Sequence, residues 1–139
     1  MFQRILVPVD LTEKSLAAVD LAFGLAQSLK SEVTLLHVIE TIEHVKFDEM
    51  KDFYSRLEVS ARRGLTEFSQ RFEKEGLKID HLVTYGHRTQ VIVETAIANQ
   101  ADVIIMASHR IDPDRPGHDW STISYGVAIL APCHVLLVK

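Results

Sequence analysis

"RILVPVDLTEKSLAAVDLAFGLAQSLKSEVTLLHV", residues 4–38, decides the fold. It opens on a short apolar run, Arg4–Val9, and closes on a second one, Glu32–Val38, that is β-branched and apolar. Between them Leu16, Val19, Ala22, Phe23 and Ala26 recur at helical spacing from Ser15 to Leu29, and Thr12 offers an N-cap. Strands without a polar face are buried on both sides. Two of them flanking an amphipathic helix predict a βαβ unit with parallel strands.

The alternation continues downstream. Residues from about Phe47 to Glu75 read as one long helix with Phe53, Leu57, Ala61, Leu65, Phe68 and Phe72 on one face, closed by Gly76. Ile79–Tyr85 is a third strand, followed by Gly86, and Thr89 caps a helix to about Asn99. Asp102–Ser108 is a fourth strand. Ser121–Leu130 is a short helix stopped by Pro132, and "HVLLVK" is the last strand. The order βαβαβαβαβ, with right-handed crossovers, predicts an α/β fold: a doubly wound parallel sheet of five strands with helices on both faces. There are no internal repeats and no low-complexity tracts.

At 139 residues the chain is expected to form a single domain over 1–139. Its 47% hydrophobic and 24% charged residues are those of a globular protein that stays in water. No apolar run reaches the ~20 residues needed to span a bilayer, and the N-terminus lacks a signal-peptide pattern. A cytoplasmic location is expected. The net charge of −4 argues against nucleic acid or an anionic membrane as partner. The lone Cys133 excludes an internal disulfide and a cysteine-based zinc site.

In doubly wound sheets ligands bind beyond the carboxyl ends of the strands. The loops of interest therefore follow Val9, Val38, Tyr85 and Ser108. The last of these begins "ASHRIDPDRPGHDWST", residues 107–122, and is charged and proline-bearing where a phosphate loop would be glycine-rich. Neither a GxSxG elbow nor a Walker lysine motif is present, which argues against a dedicated hydrolase or kinase. A phospho-acceptor receiver would need an Asp at the end of strand three, where Thr84, Tyr85 and Gly86 stand. No flavin signature is visible.

"ILVPVD", "LLHV", "YGH" and "APCHVLLVK", in that order over essentially the whole chain, resemble the universal stress protein family. The resemblance implies strand order 3-2-1-4-5 and, as in many members, binding of ATP or AMP, with Mg²⁺ accompanying ATP. On the first strand it implicates Pro8, Val9 and Asp10, and on the adenine side His37 and Val38. On the phosphate side it implicates Ala107, His109, Arg110, Ser121, Thr122 and Ile123. The family's phosphate motif is Gly, two residues, Gly, nine residues, then Gly and Ser/Thr. Its first two glycines fall on Ala107 and Arg110. The third falls on Trp120 or, with one extra loop residue, on Ser121, and the second count is preferred because no gap is evident downstream.

The lost glycines remove backbone freedom but not the backbone N–H donors. Arg110 brings a guanidinium that can pair with phosphate, and residues opening the last helix offer free N–H groups to an anion. Asp112, Asp114 and Asp119 act the other way. The resemblance thus implies a regulatory or stress-response module with a degenerate phosphate loop. The alternatives are an interaction module of the same fold without nucleotide, and a slow ATPase. It also implies a homodimer through the last strand, which would lie at a sheet edge in this order.

Several of these residues admit a second reading. Asp10 suits a turn or cap before the first helix, and His37 a hydrogen-bonded residue near the core. His109 and His118 with the three loop aspartates form either a metal site or a solvated loop, and their spacing fits no zinc pattern. His87 suits a ribose contact or a surface helix start, and Cys133 an inert thiol.

Overall fold

The computed structural model describes residues 1–108, 114 and 122–139. Strands β1 (Arg4–Pro8), β2 (Glu32–Glu40), β3 (Ile79–Gly86), β4 (Val103–Ala107) and β5 (His134–Val138) alternate with helices α1 (Leu16–Leu29), α2 (Lys51–Lys74), α3 (Arg88–Ala98) and α4 (Ile123–Leu130). The strands form one parallel sheet ordered β3-β2-β1-β4-β5, as the resemblance implied. The three central strands carry the apolar runs of the sequence. Their odd-numbered residues Ile5, Val7, Val33, Leu35, Val103 and Ile105 pack under α1 and α2. The even-numbered Leu6, Leu36, Ile104 and Met106 pack under α3 and α4. Apolar runs without alternation arise because both faces of the sheet are covered.

Helix boundaries follow local chemistry. The Thr12 hydroxyl accepts from the Lys14 N–H at 3.3 Å and caps a 3-10 turn, Glu13–Ser15, that precedes α1. The 3-10 turn Phe47–Met50 likewise precedes α2, so the long helix begins four residues later than its periodicity suggests. At its end, Gly76 N–H donates to Glu73 at 3.0 Å and Leu77 N–H to Phe72 at 3.0 Å, with Gly76 at φ +68°. This is the Schellman pattern, in which a glycine supplies the left-handed residue and an apolar contact, here Leu77 on Phe72, closes it.

Three expectations are corrected. Thr89 does not cap α3, because His87 holds that position and makes no side-chain cap bond. Thr89 instead packs inside the first turn against α4, where a Cβ on Gly126 would lie 3.2 Å from its Cγ2. The buried stripe of α2 starts at Tyr54, not Phe53: Tyr54 is 1% exposed, whereas Phe53 and Leu57 are 41% and 38% exposed. The Tyr54 hydroxyl accepts from Ile42 N–H at 2.9 Å, and that bond turns the first part of the helix toward the β2–α2 connection. Leu16 of α1 faces outward, and Ala18 takes the buried place.

Candidate functional site

Beyond Leu6 the sheet opens. Strands β1 and β4 pair only through Ile5 with Val103 and Leu6 with Ile104, while β1 stays paired with β2 through Pro8. Successive backbone N–H groups of a strand point to opposite neighbours. Val9 N–H donates to Leu36 of β2 at 2.8 Å, so the next place facing β4 is residue 8. That residue is proline and has no N–H, so the β1–β4 ladder loses its donor there. The strands part at the point where sheet order reverses, which is where an open α/β sheet forms its ligand crevice.

The crevice is a cleft of about 610 Å³. Pro8, Val9, Asp10, His37, Val38, Ala107, Thr122 and Ile123 all line it. Residues far apart in the chain thus meet because parallel strands put all their carboxyl ends at one edge. The remaining three residues implicated by the sequence, His109, Arg110 and Ser121, lie outside the described residues, as do Asp112, His118 and Asp119. Asp114 is described and exposed. His87 is exposed and does not line the cleft.

Asp10 is held by its own loop. Its Oδ1 accepts from Thr12 N–H at 2.9 Å, Thr12 Oγ1 at 2.6 Å and Ser15 Oγ at 2.8 Å. Asp10 N–H donates to Ser15 Oγ at 2.9 Å. The three bonds to the carboxylate converge on one oxygen, and Oδ2 takes none of them. Partial burial acts to raise the carboxyl's pKa, but the bonds from Thr12 and Ser15, with Lys14 nearby, outweigh it and leave the group below its ordinary 3.8. The turn geometry expected of an Asp before a helix is therefore present. His37 Nδ1 donates to the Val9 carbonyl at 2.8 Å, which ties β2 to the end of β1. With the proton on Nδ1, the neutral ring keeps Nε2 as an acceptor.

Hydroxyls gather on the opposite wall. Thr122 caps α4 by accepting from Tyr125 N–H at 3.3 Å, and its Oγ1 lies 3.1 Å from Ser124 Oγ. Ser124 in turn lies 3.2 Å from Ser108 Oγ at the end of β4. Between the two walls Leu36, Val38, Ile92 and Met106 supply an apolar floor. Lys14, Arg88 and Lys139 bring cations to the lining, against the carboxylates of Asp10 and Glu13. The Arg88 guanidinium stands 3.6 Å from Glu40 at the end of β2, an exposed pair. The arrangement suits a ligand with a flat apolar part and an anionic part. Among the described residues no group of three His, Cys, Asp or Glu side chains is placed to hold a metal ion.

Reading the sequence alone misses Lys14, Ser15, Arg88, Ser108 and Ser124. The signal for Ser15 was its spacing from Asp10, five residues on across a 3-10 turn. Arg88 had none, because it enters the cleft only through the crossover of α3. Cys133 is half-buried beside the second apolar cluster, and burial, with Asp102 second, pushes its thiol up, away from the reactive thiolate. No helix among the described residues is long and apolar enough to cross a membrane.

The chain resembles known proteins throughout its length. It is 28% identical over 117 residues to the universal stress protein A homolog of Haemophilus ducreyi, covering 79% of each chain. Among solved structures, a hypothetical protein whose biochemical function was assigned from its structure superposes with a TM-score of 0.85 at 26% identity, covering 100% of this chain and 96% of that one. The universal stress protein of Archaeoglobus fulgidus in complex with dAMP shares the fold, with a TM-score of 0.71 at 17% identity and 100% of both chains covered. The universal stress protein family model matches residues 1–139, and with the strand order and the switch-point cleft in place, the chain belongs to the universal stress protein family.

Proposed function

We propose that the chain is a regulatory module that binds an adenine nucleotide, AMP or ATP, in the cleft between β1 and β4, with Mg²⁺ accompanying ATP. The observation that carries this reading is the convergence of the Asp10 loop, the His37–Val9 tie and the Ser108–Ser124–Thr122 hydroxyls around one apolar floor. The cleft's volume of about 610 Å³ falls in the range of about 300–1,000 Å³ usual for small-ligand sites. A protein of the same fold is known in complex with dAMP. The base would lie on Val38, Ile92 and Met106, and the phosphate toward Thr122 and the cations.

Mass spectrometry of small molecules released by heating the purified protein tests the proposal, together with calorimetric titration with adenosine, AMP and ATP with and without Mg²⁺. Arg88→Ala is expected to weaken AMP about fivefold while leaving adenosine within twofold, the size of one exposed charge-assisted contact. Equal losses for both ligands would remove Arg88 from the phosphate side, and no binding by the wild-type chain would remove the proposal.

A second reading, an interaction module without nucleotide, is favoured by one observation: three hydrogen bonds from its own loop already satisfy Asp10 Oδ1. The same titrations separate the two.

The proposal includes a homodimer through β5. This edge strand leaves Leu136 37% exposed on the sheet face that carries α1 and α2, and α4 on the other face exposes Ile129 and Leu130 at 63% and 62%. Unpaired apolar edges are commonly covered. Light scattering is expected to give twice the chain mass for wild type at micromolar concentration and the chain mass for Leu136→Glu. A monomeric wild type would overturn the dimer.

A further inference from the structure

Leu11 stands between the two ends of the Asp10 turn. Thr12 N–H and Oγ1 both close onto Asp10 Oδ1, so the chain wraps around Leu11 to make that turn. Leu11 has φ +68°, a left-handed conformation that a branched side chain rarely adopts and that persists only where the surroundings impose it. Its side chain reaches another helix. The Leu11 side chain is seated in a notch at Gly64, in the middle of α2, and packs against the core under α1 and α2. A Cβ at residue 64 would lie 2.9 Å from Leu11 Cδ2 and 3.7 Å from both Cδ1 and Cγ. Alanine is the better helix former, so glycine at this mid-helix position is explained by the space it leaves.

We propose that Gly64 is a positioning residue for the cleft: by leaving room for Leu11 it sets the backbone of the β1–α1 loop, and through it Asp10, Thr12 and Lys14. Gly64 does not line the cleft, so its effect on a ligand passes through Leu11. A methyl group at residue 64 obliges Leu11 Cδ2, the flexible end of that side chain, to shift, and a displaced side chain holds φ at residue 11 less firmly. The Asp10–Thr12 closure then loosens. This inference rests on the nucleotide reading only for its effect on affinity, since the geometry of the turn is independent of any ligand.

The test is a double-mutant cycle of Gly64→Ala and Leu11→Ala in the full chain, with two readouts. Calorimetry with AMP is expected to show about a fivefold loss of affinity in Gly64→Ala, within the range of coupling for residues in direct contact. In the Leu11→Ala background, where the notch has no occupant to displace, Gly64→Ala is expected to cause no further loss. The thermal midpoint of Gly64→Ala is expected to stay close to that of wild type, because the helix propensity gained with alanine offsets what the displaced leucine loses, which separates positioning from general destabilisation. The second readout is exchange of the Thr12 amide proton by NMR, expected to quicken in Gly64→Ala and not between the two variants carrying Leu11→Ala. Thr12 exchange unchanged by Gly64→Ala, or a loss of affinity that persists undiminished in the Leu11→Ala background, would overturn the inference. If wild type binds no nucleotide, the proposed function fails, and the Thr12 exchange still decides whether Gly64 sets the loop.

Discussion

Phe72→Ala is expected to cost about 3–5 kcal/mol of folding stability, as truncation of a fully buried aromatic does. Phe72 is 0% exposed and meets Phe23 of α1 edge-on, with ring centroids 5.2 Å apart at 88°. It also receives Leu77 in the capping motif that ends α2. Its removal therefore opens a cavity between two helices and loosens the helix end together. A domain stable by about 5–15 kcal/mol loses a large share of that, visible as a fall in the urea midpoint. Phe53→Ala, on the same helix and 41% exposed, is expected to cost under about 1 kcal/mol. Comparable losses for the two variants would mean that α2 is rotated from the face described.

Asp10→Ala is expected to weaken AMP binding about tenfold, equivalent to ~1.4 kcal/mol. The loss has two sources: the carboxylate itself, and the order of a loop in which Thr12 and Ser15 both donate to it. Leaving those donors without their acceptor also lowers stability by about 1–2 kcal/mol, the usual effect of losing a cap. The pH dependence has a definite sign. The Asp10 carboxyl titrates below 3.8 in the folded chain, so its ionised form contributes stability above that value, and the contribution is lost as pH falls through the lower folded value. In acid titration the stability gap between wild type and Asp10→Ala should therefore narrow below about pH 4. A gap that stays constant into strong acid would remove the carboxylate's role in stability, and an affinity equal to wild type would remove its role in binding.

The element order, the parallel sheet and the edge at which a ligand site must lie were all legible in the residues. Buried parallel strands have to be apolar on both faces, and amphipathic helices have to repeat every three or four residues. Strand direction alone pointed to the loops after Val9 and Val38, and the family resemblance added Pro8, Asp10 and His37 beside them; all five line the cleft. The rotation of α2 could not be placed in this way. Phe53 and Tyr54 are adjacent aromatics about 100° apart on the helix, and periodicity accepts either at the head of the stripe. The bond from Ile42 N–H to the Tyr54 hydroxyl, made across a connection of irregular structure, decides between them. Lys14, Arg88 and Ser124 became part of the site only when crossovers on opposite faces of the sheet brought three helix starts to one edge. The notch at Gly64 is of the same kind. In the sequence it is one glycine in a helix, and its meaning depends on a leucine fifty-three residues earlier whose position only the packing of α2 on the sheet determines.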